Sequence, residues 1–299
     1  MYATGVGILS FFLANNEESQ KEELDVRNIN QFGRRIMPPH SGEFSAENRS
    51  MLSKSIKIEG LHGNPSKYMD EFNYKIHTTG QDSEFGLSDV WKPAVFIDNL
   101  IKDLSPDMKV TPVIDDRMLV NCWYGNDELS KQVKDMTGNL KDGEFVMGNF
   151  WYKYVFVDDG NDDTCRNNEM KKKLLEESTY YRWQEQGTLY GISRYSMVAL
   201  TDTSWFASNI LAMHMRTIYS RMFELIIIQR ASMLRFSGEV TKVSCLSRRT
   251  DRRLAERIGS LYQEYIRFIN QIYFQHVTVQ DQGIEIYDML MQQFASSEK

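Results

Sequence analysis

Asp158, Asp159, Asp162 and Asp163 crowd four carboxylates into one short stretch around Gly160. Hard oxygen ligands of this kind suit a divalent cation such as Mg2+. The spacing is not that of an EF-hand loop, because Gly160 stands at the wrong position and no Glu closes the loop. The plain alternative is a solvated acidic turn. A second set of charges is basic: Arg248, Arg249, Arg252 and Arg253 gather at the start of the last helical segment, with Asp251 and Glu256 beside them. Guanidinium groups fork onto phosphate, so an anionic nucleotide or lipid head group is a candidate ligand, against a solvated helix start. Arg34 and Arg35 beside Gly33, and Arg194 near Gly191 and Tyr195, are further anion-binding candidates.

Other groups point away from catalysis. His40, His62, His77, His214 and His276 show no metal-binding spacing, and Cys122, Cys165 and Cys245 form neither a zinc pattern nor a disulfide framework. Gly5, Gly7 and Ser10 lack the third glycine of a dinucleotide loop, and Ser193 lacks the flanking glycine of a nucleophile elbow. Asp115 and Asp116 sit next to Arg117, where carboxylates and a guanidinium normally satisfy one another. No nucleophile, base and orienting group come together, so no enzyme is expected.

The elements that must position these groups follow from periodicity. Residues 1–202 read as an α/β region: a strand at Gly7–Ala14, a turn-rich connection over 22–39, partial strand character at 68–77, and a helix capped by Ser88 or Asp89 that runs to about Leu104. Further strands are expected at Val110–Tyr124, Phe150–Val157 and Thr188–Leu200, with helices at Asp127–Met136 and from Asn167 to about Trp183. After Leu200 the spacing turns helical, giving a second region over 203–299. Leu211, Met215, Ile218, Met222 and Leu225 recur at steps of four and three, as do Leu254, Ile258, Leu261, Tyr265, Phe268 and Ile272. One helix is expected over about Ser204–Ser237, and another over Asp251–Phe294 with a break near Gly283. A helix of about 40 residues would be ~60 Å long. The fold class is α+β: an α/β/α layered domain with a mixed sheet, then long antiparallel helices.

A net charge of −6 opposes generic binding to nucleic acid or anionic lipid. The apolar run Val6–Leu13 has no preceding Lys or Arg and reads as a buried strand rather than an export signal. No run is long and apolar enough to span a bilayer, and the unpaired cysteines fit a reducing, cytoplasmic setting.

Three blocks carry a family likeness: YGISRYSMVALT at 190–201, QRASMLRFSGEVTKVS at 229–244 and IYFQHVTVQDQGIEIYDML at 272–290. They resemble the cytoplasmic region of CorA-like divalent-cation transporters. The Gly-Met-Asn signature of that family is not found; Met147, Gly148 and Asn149 hold the same residues in another order. The resemblance implies a stalk helix leading to membrane segments outside this chain, assembly as a funnel-shaped pentamer, and closure favoured by Mg2+ or another divalent cation. Relatives that accompany type III CRISPR systems imply an alternative, response to a nucleotide second messenger. Outside the family, the competing class is a soluble α/β enzyme with a helical oligomerisation arm.

Overall fold

The computed structural model describes residues 4–15, 22–33, 55–57, 69–71, 95–104, 118–136, 149–158, 163–246, 252–273 and 277–295. The chain divides into two compact units, Gln20–Leu119 and a larger one made of Met1–Ser19 with Val120–Lys299. The sheet and the long helices therefore belong to one unit and are not parted at residue 202.

In the smaller unit, α1 (Glu23–Gly33) occupies part of the stretch expected to be a turn-rich connection. Its first turn is acidic, as the helix dipole favours, and the Asp25 carboxylate accepts from the Glu22 amide at 3.1 Å. Strands β1 (Ser55–Lys57) and β2 (Met69–Glu71) pair antiparallel, and α2 (Val95–Leu104) packs on β2. The expected cap at Ser88 and Asp89, and Asp115, Asp116 and Arg117, lie outside the described residues.

The larger unit is built on a four-stranded sheet in the order β3 (Val120–Gly125), β6 (Ser196–Thr201), β5 (Leu189–Ile192), β4 (Thr179–Tyr180). β3 runs parallel to β6, and the other neighbours are antiparallel. The two central strands are buried throughout, which explains their near-continuous apolar sequence. What reads as one strand over 188–200 is thus a hairpin, turned at Arg194 and Tyr195.

Helix α3 (Asp127–Asp135) starts where Asn126 accepts from the Leu129 amide, and α5 (Asn168–Ser178) where Asn167 accepts from the Met170 amide, each at 2.9 Å. Helix α4 (Asn149–Phe156) replaces the strand expected from its aromatic composition. Its rings pair one helical turn apart instead: Phe150 stacks on Tyr154 at 5.2 Å, and Tyr152 meets Phe156 at 4.9 Å. Trp151, Tyr154 and Val155 form the face turned to the sheet. Trp151 donates to Thr179 Oγ1 at 3.0 Å, and the Tyr154 hydroxyl to the Ala199 carbonyl at 3.1 Å. The helix closes with Val157 at φ 51° and the Asp158 amide on the Lys153 carbonyl at 3.1 Å, a left-handed C-cap built on a β-branched residue. Burial of the Val157 side chain holds it there.

Residues 4–15 form no strand, contrary to expectation. Thr4 bonds Ser232 at 3.0 Å and Ser10 bonds Glu224 at 2.9 Å, so the segment follows a helix side rather than a sheet edge. Val6 is buried, while Leu9, Phe12 and Leu13 face solvent.

The first long helix is continuous from residue 205 to α6 (Ser220–Leu246), with Ser204 at its start. It passes through two π-helical turns, Ala207–Leu211 and Met215–Tyr219. In the first, the Ala212 amide reaches back five residues to the Ala207 carbonyl. Carbonyls along these wide turns take side-chain donors: Asn209 on Trp205 at 2.9 Å, Thr217 on Met213 at 2.7 Å, and Asn121 of β3 on Met215 at 3.0 Å.

The second long segment is two helices, α7 (Arg252–Gln271) and α8 (Asp281–Ala295), so the ~60 Å rod is not formed. At the break the Gln229 amide of α6 donates to the Ile272 carbonyl at 2.9 Å and lies 3.2 Å from the Tyr287 hydroxyl of α8. Gly283 belongs to α8 and is pressed against Thr278 and Met222. α7 packs along the C-terminal part of α6 through Ile228, Phe236, Phe268 and Ile272, whereas α8 crosses the N-terminal part, where Phe294 meets Phe223 edge-on at 5.9 Å.

Candidate functional site

Residues on one strand alternate between sheet faces. On β5, Gly191 faces α4, where Trp151 and Val155 lie against it, and Tyr190 faces the other way, toward Tyr219 of the second π turn at 5.7 Å. Its cross-strand partner Tyr180 stands at 6.1 Å on the same side. Helix α8 brings its first turn to this aromatic row. Glu285 accepts from the Tyr180 hydroxyl and from Arg182 Nη1, the latter at 2.6 Å. Gln282 accepts from the Trp183 indole at 2.9 Å and donates to the Tyr219 hydroxyl at 2.7 Å. One short helical stretch therefore clasps the sheet and the π turn together. His214 approaches Tyr219 edge-on at 6.3 Å.

The electrostatics suit a clasp. Hydrogen bonds from Tyr180 and then Arg182 hold the Glu285 carboxyl below its ordinary range, while the Arg182 guanidinium is held above its own by Glu285 and then Tyr180. Burial pushes the Tyr219 phenol up to about 12, and burial chiefly raises Tyr180 and Tyr190 as well. These tyrosines stay protonated near neutrality; Tyr180 donates to Glu285, and Tyr219 accepts from Gln282.

A carboxyl with a depressed folded pKa adds stability above its unfolded value, near 4.5, and loses it as pH falls through the lower folded value. Glu285→Gln is accordingly expected to lower Tm at pH 7 by a small margin, roughly 1–3 °C for so exposed a group. That margin should vanish in acid below the folded pKa, which calorimetric melts across pH will check. A margin that persists unchanged at acid pH would mean that packing, not charge, is the cause.

The sequence-derived candidates fall elsewhere. Asp158 is buried and accepts from the Thr164 amide and hydroxyl, each at 2.8 Å. Asp163 is ion-paired with the buried Lys171, whose ammonium lies 5.2 Å above the Tyr152 ring. Both carboxylates thus have structural partners, and Asp159 and Asp162 lie outside the described residues. Among the described residues, no group of three or more His, Cys, Asp or Glu side chains is placed to hold a metal ion. Arg252 and Arg253 open α7, where the helix dipole disfavours cations, and Arg194 is exposed in the β5–β6 turn. Arg34, Arg35, Arg248 and Arg249 lie outside the described residues. Ser193 spends its hydroxyl on the Val155 carbonyl at 2.8 Å, capping α4.

The clasp residues were not singled out from sequence, because Tyr180 and Glu285 are 105 positions apart. Tyr190, Gln229, Gln282, Glu285 and Tyr287 all fall within the three blocks 190–201, 229–244 and 272–290. Among the described residues, no helix is long and apolar enough to cross a membrane. The chain matches no protein-family model, no curated protein and no solved structure.

Proposed function

We propose that this chain is the cytoplasmic regulatory and assembly region of a CorA-like divalent-cation transporter, a homo-oligomer that senses Mg2+ or a related cation and gates a pore built by membrane segments outside this sequence. It works by binding and assembly rather than by catalysis. The observation that supports this reading most is the meeting of the three resembling blocks in one joint. The block at 190–201 supplies the central strands, that at 229–244 the helix with Gln229, and that at 272–290 the clasp of α8. Residues at such a joint couple any displacement of the sheet to the last helix, which is what a cation sensor acting on a distant gate requires.

Titration calorimetry with Mg2+, paired with sedimentation velocity with and without the ion, tests the reading. Saturable heat with a shift to larger species is expected. Neither heat nor a shift would reject the cation-sensing role, and heat from adenylate-type nucleotides in its place would move the assignment to the nucleotide-responsive relatives.

A further inference from the structure

In the N-terminal segment, Val6 is buried, Ile8 packs on the core between α6 and α7, Gly5 lies against the Arg235 guanidinium, and Ser10 bonds Glu224. Leu9, Phe12 and Leu13 point away from that anchorage, 45%, 63% and 78% exposed, and the run 11–14 is apolar throughout. Consecutive apolar side chains left in water are a surface defect unless they serve a contact.

Helix α7 has one apolar face, and it is wider than α6 covers. From the fully buried Phe268 it runs through Tyr265, Ile269 and Tyr262 to Ile266, an arc of roughly 160° at about 100° per residue, where a helix lying on one partner needs about 100°. Phe268 and Tyr265 meet Phe236 of α6 at 5.5 Å and 5.7 Å. Beyond them, Ile269, Tyr262 and Ile266 are between 39% and 64% exposed. The N-terminal segment passes on the opposite flank. Arg235, which it touches, pairs with Glu264 of α7 at 3.0 Å, and Glu264 stands two residues, about 200°, from both Tyr262 and Ile266. One compact unit thus carries an apolar projection on one flank and an uncovered apolar surface on the other.

We propose that the hook formed by Leu9, Phe12 and Leu13 of one copy of the chain seats on the Ile269, Tyr262 and Ile266 flank of the next copy, in a head-to-tail contact. The two surfaces differ and lie apart, so each chain offers one of each, and repetition closes a ring rather than a two-fold dimer. A ring is compatible with a funnel-shaped pentamer. Hook and flank expose on the order of 350 Å2 and 400 Å2; each chain of a ring buries both, together close to the ~800 Å2 a side of a standard interface. Tyr262 suits the rim of such a contact, because its ring can meet Phe12 while its hydroxyl stays in water. An anionic lipid surface fits the hook less well: Glu17 and Glu18 follow it directly in a chain of net charge −6.

The inference rests on the self-association that the proposed function includes, and the test separates the two. Sedimentation velocity of the full chain at ~10–50 μM should show species larger than a dimer. Phe12→Asp and Tyr262→Glu should each weaken association ~10-fold or more while leaving Tm unchanged, because both side chains face solvent in the single chain. Mixed together, the two variants should form a one-to-one dimer and nothing larger, since the Tyr262→Glu chain keeps its hook and the Phe12→Asp chain keeps its flank. Loss of assembly in only one variant, or variants that stay monomeric when mixed, overturns the pairing of hook with flank. Wild-type assembly that both variants retain overturns the contact but leaves the proposed function standing; if Phe12→Asp then loses only its flotation with phosphatidylglycerol vesicles, the hook serves a lipid surface instead. A wild-type chain that is monomeric at these concentrations, with and without Mg2+, overturns both.

Discussion

Gly191→Ala is expected to lower stability by about 2–3 kcal/mol, the range of core overpacking, and Gly191→Val to prevent accumulation of folded protein. A Cβ at this position would collide with Val155 Cγ2, come within 2.9 Å of Val198 Cγ2 and within 3.3 Å of Trp151 Cζ2. None of these can step aside. Val155 and Val198 have stiff branched side chains that are fully buried, and the Trp151 indole is tied to Thr179. The glycine is the slot that lets α4 lie down on the sheet. Differential scanning calorimetry should show Tm falling by about 5–8 °C for the alanine variant. Adding Val155→Ala should restore part of that loss, giving a favourable coupling in a double-mutant cycle. Strict additivity would place the strain elsewhere.

Gln229→Leu should cost about 2–4 kcal/mol, although leucine fills a similar volume. The Gln229 amide is buried and donates at the point where α7 ends and α8 is held in place. Leucine removes the donor from the Ile272 carbonyl in an apolar setting, where an unmade hydrogen bond carries its full desolvation penalty. The local signature is distinctive: amide hydrogen exchange should accelerate over 277–295 more than in β5 and β6. Uniform acceleration across the unit would show that Gln229 supports the core generally rather than the helix break.

How far the sequence revealed this arrangement depends on how local each cause is. Helix α3 was readable because its cap, Asn126, and its first bonded amide, Leu129, are three residues apart. The α+β class and the change to helical spacing after Leu200 were readable for the same reason, since periodicity is a local property. Helix α4 was misread because WYKYVFV has the composition of a strand. What decides its state is ring stacking at a spacing of four, together with a sheet face supplied by residues from 120 onward and from 189 onward. The helix over 251–294, expected to break near Gly283, instead ends at Gln271, where a tertiary bond from Gln229 to Ile272 meets it that no window containing only the segment includes. Ile258, assigned to the inner seam by its spacing, is instead 48% exposed. The clasp around Glu285 could not be read at all, because its members come from widely separated elements and are joined only once the sheet and α8 are folded.

The two π turns ahead of α6 behave like an expansion joint. Each holds about one residue beyond the α-helical repeat, and one residue is about 100° of rotation, so the stretch carrying Trp205 and Phe206 and the stretch that buries Met222 are phased independently. This is why Ile218, spaced correctly for the core in a regular helix, emerges at the surface. It also lets the two ends be set separately: the second π turn is held to β3 by Asn121 on the Met215 carbonyl, while the far end runs into α6 and takes its rotation from packing with α7 and α8.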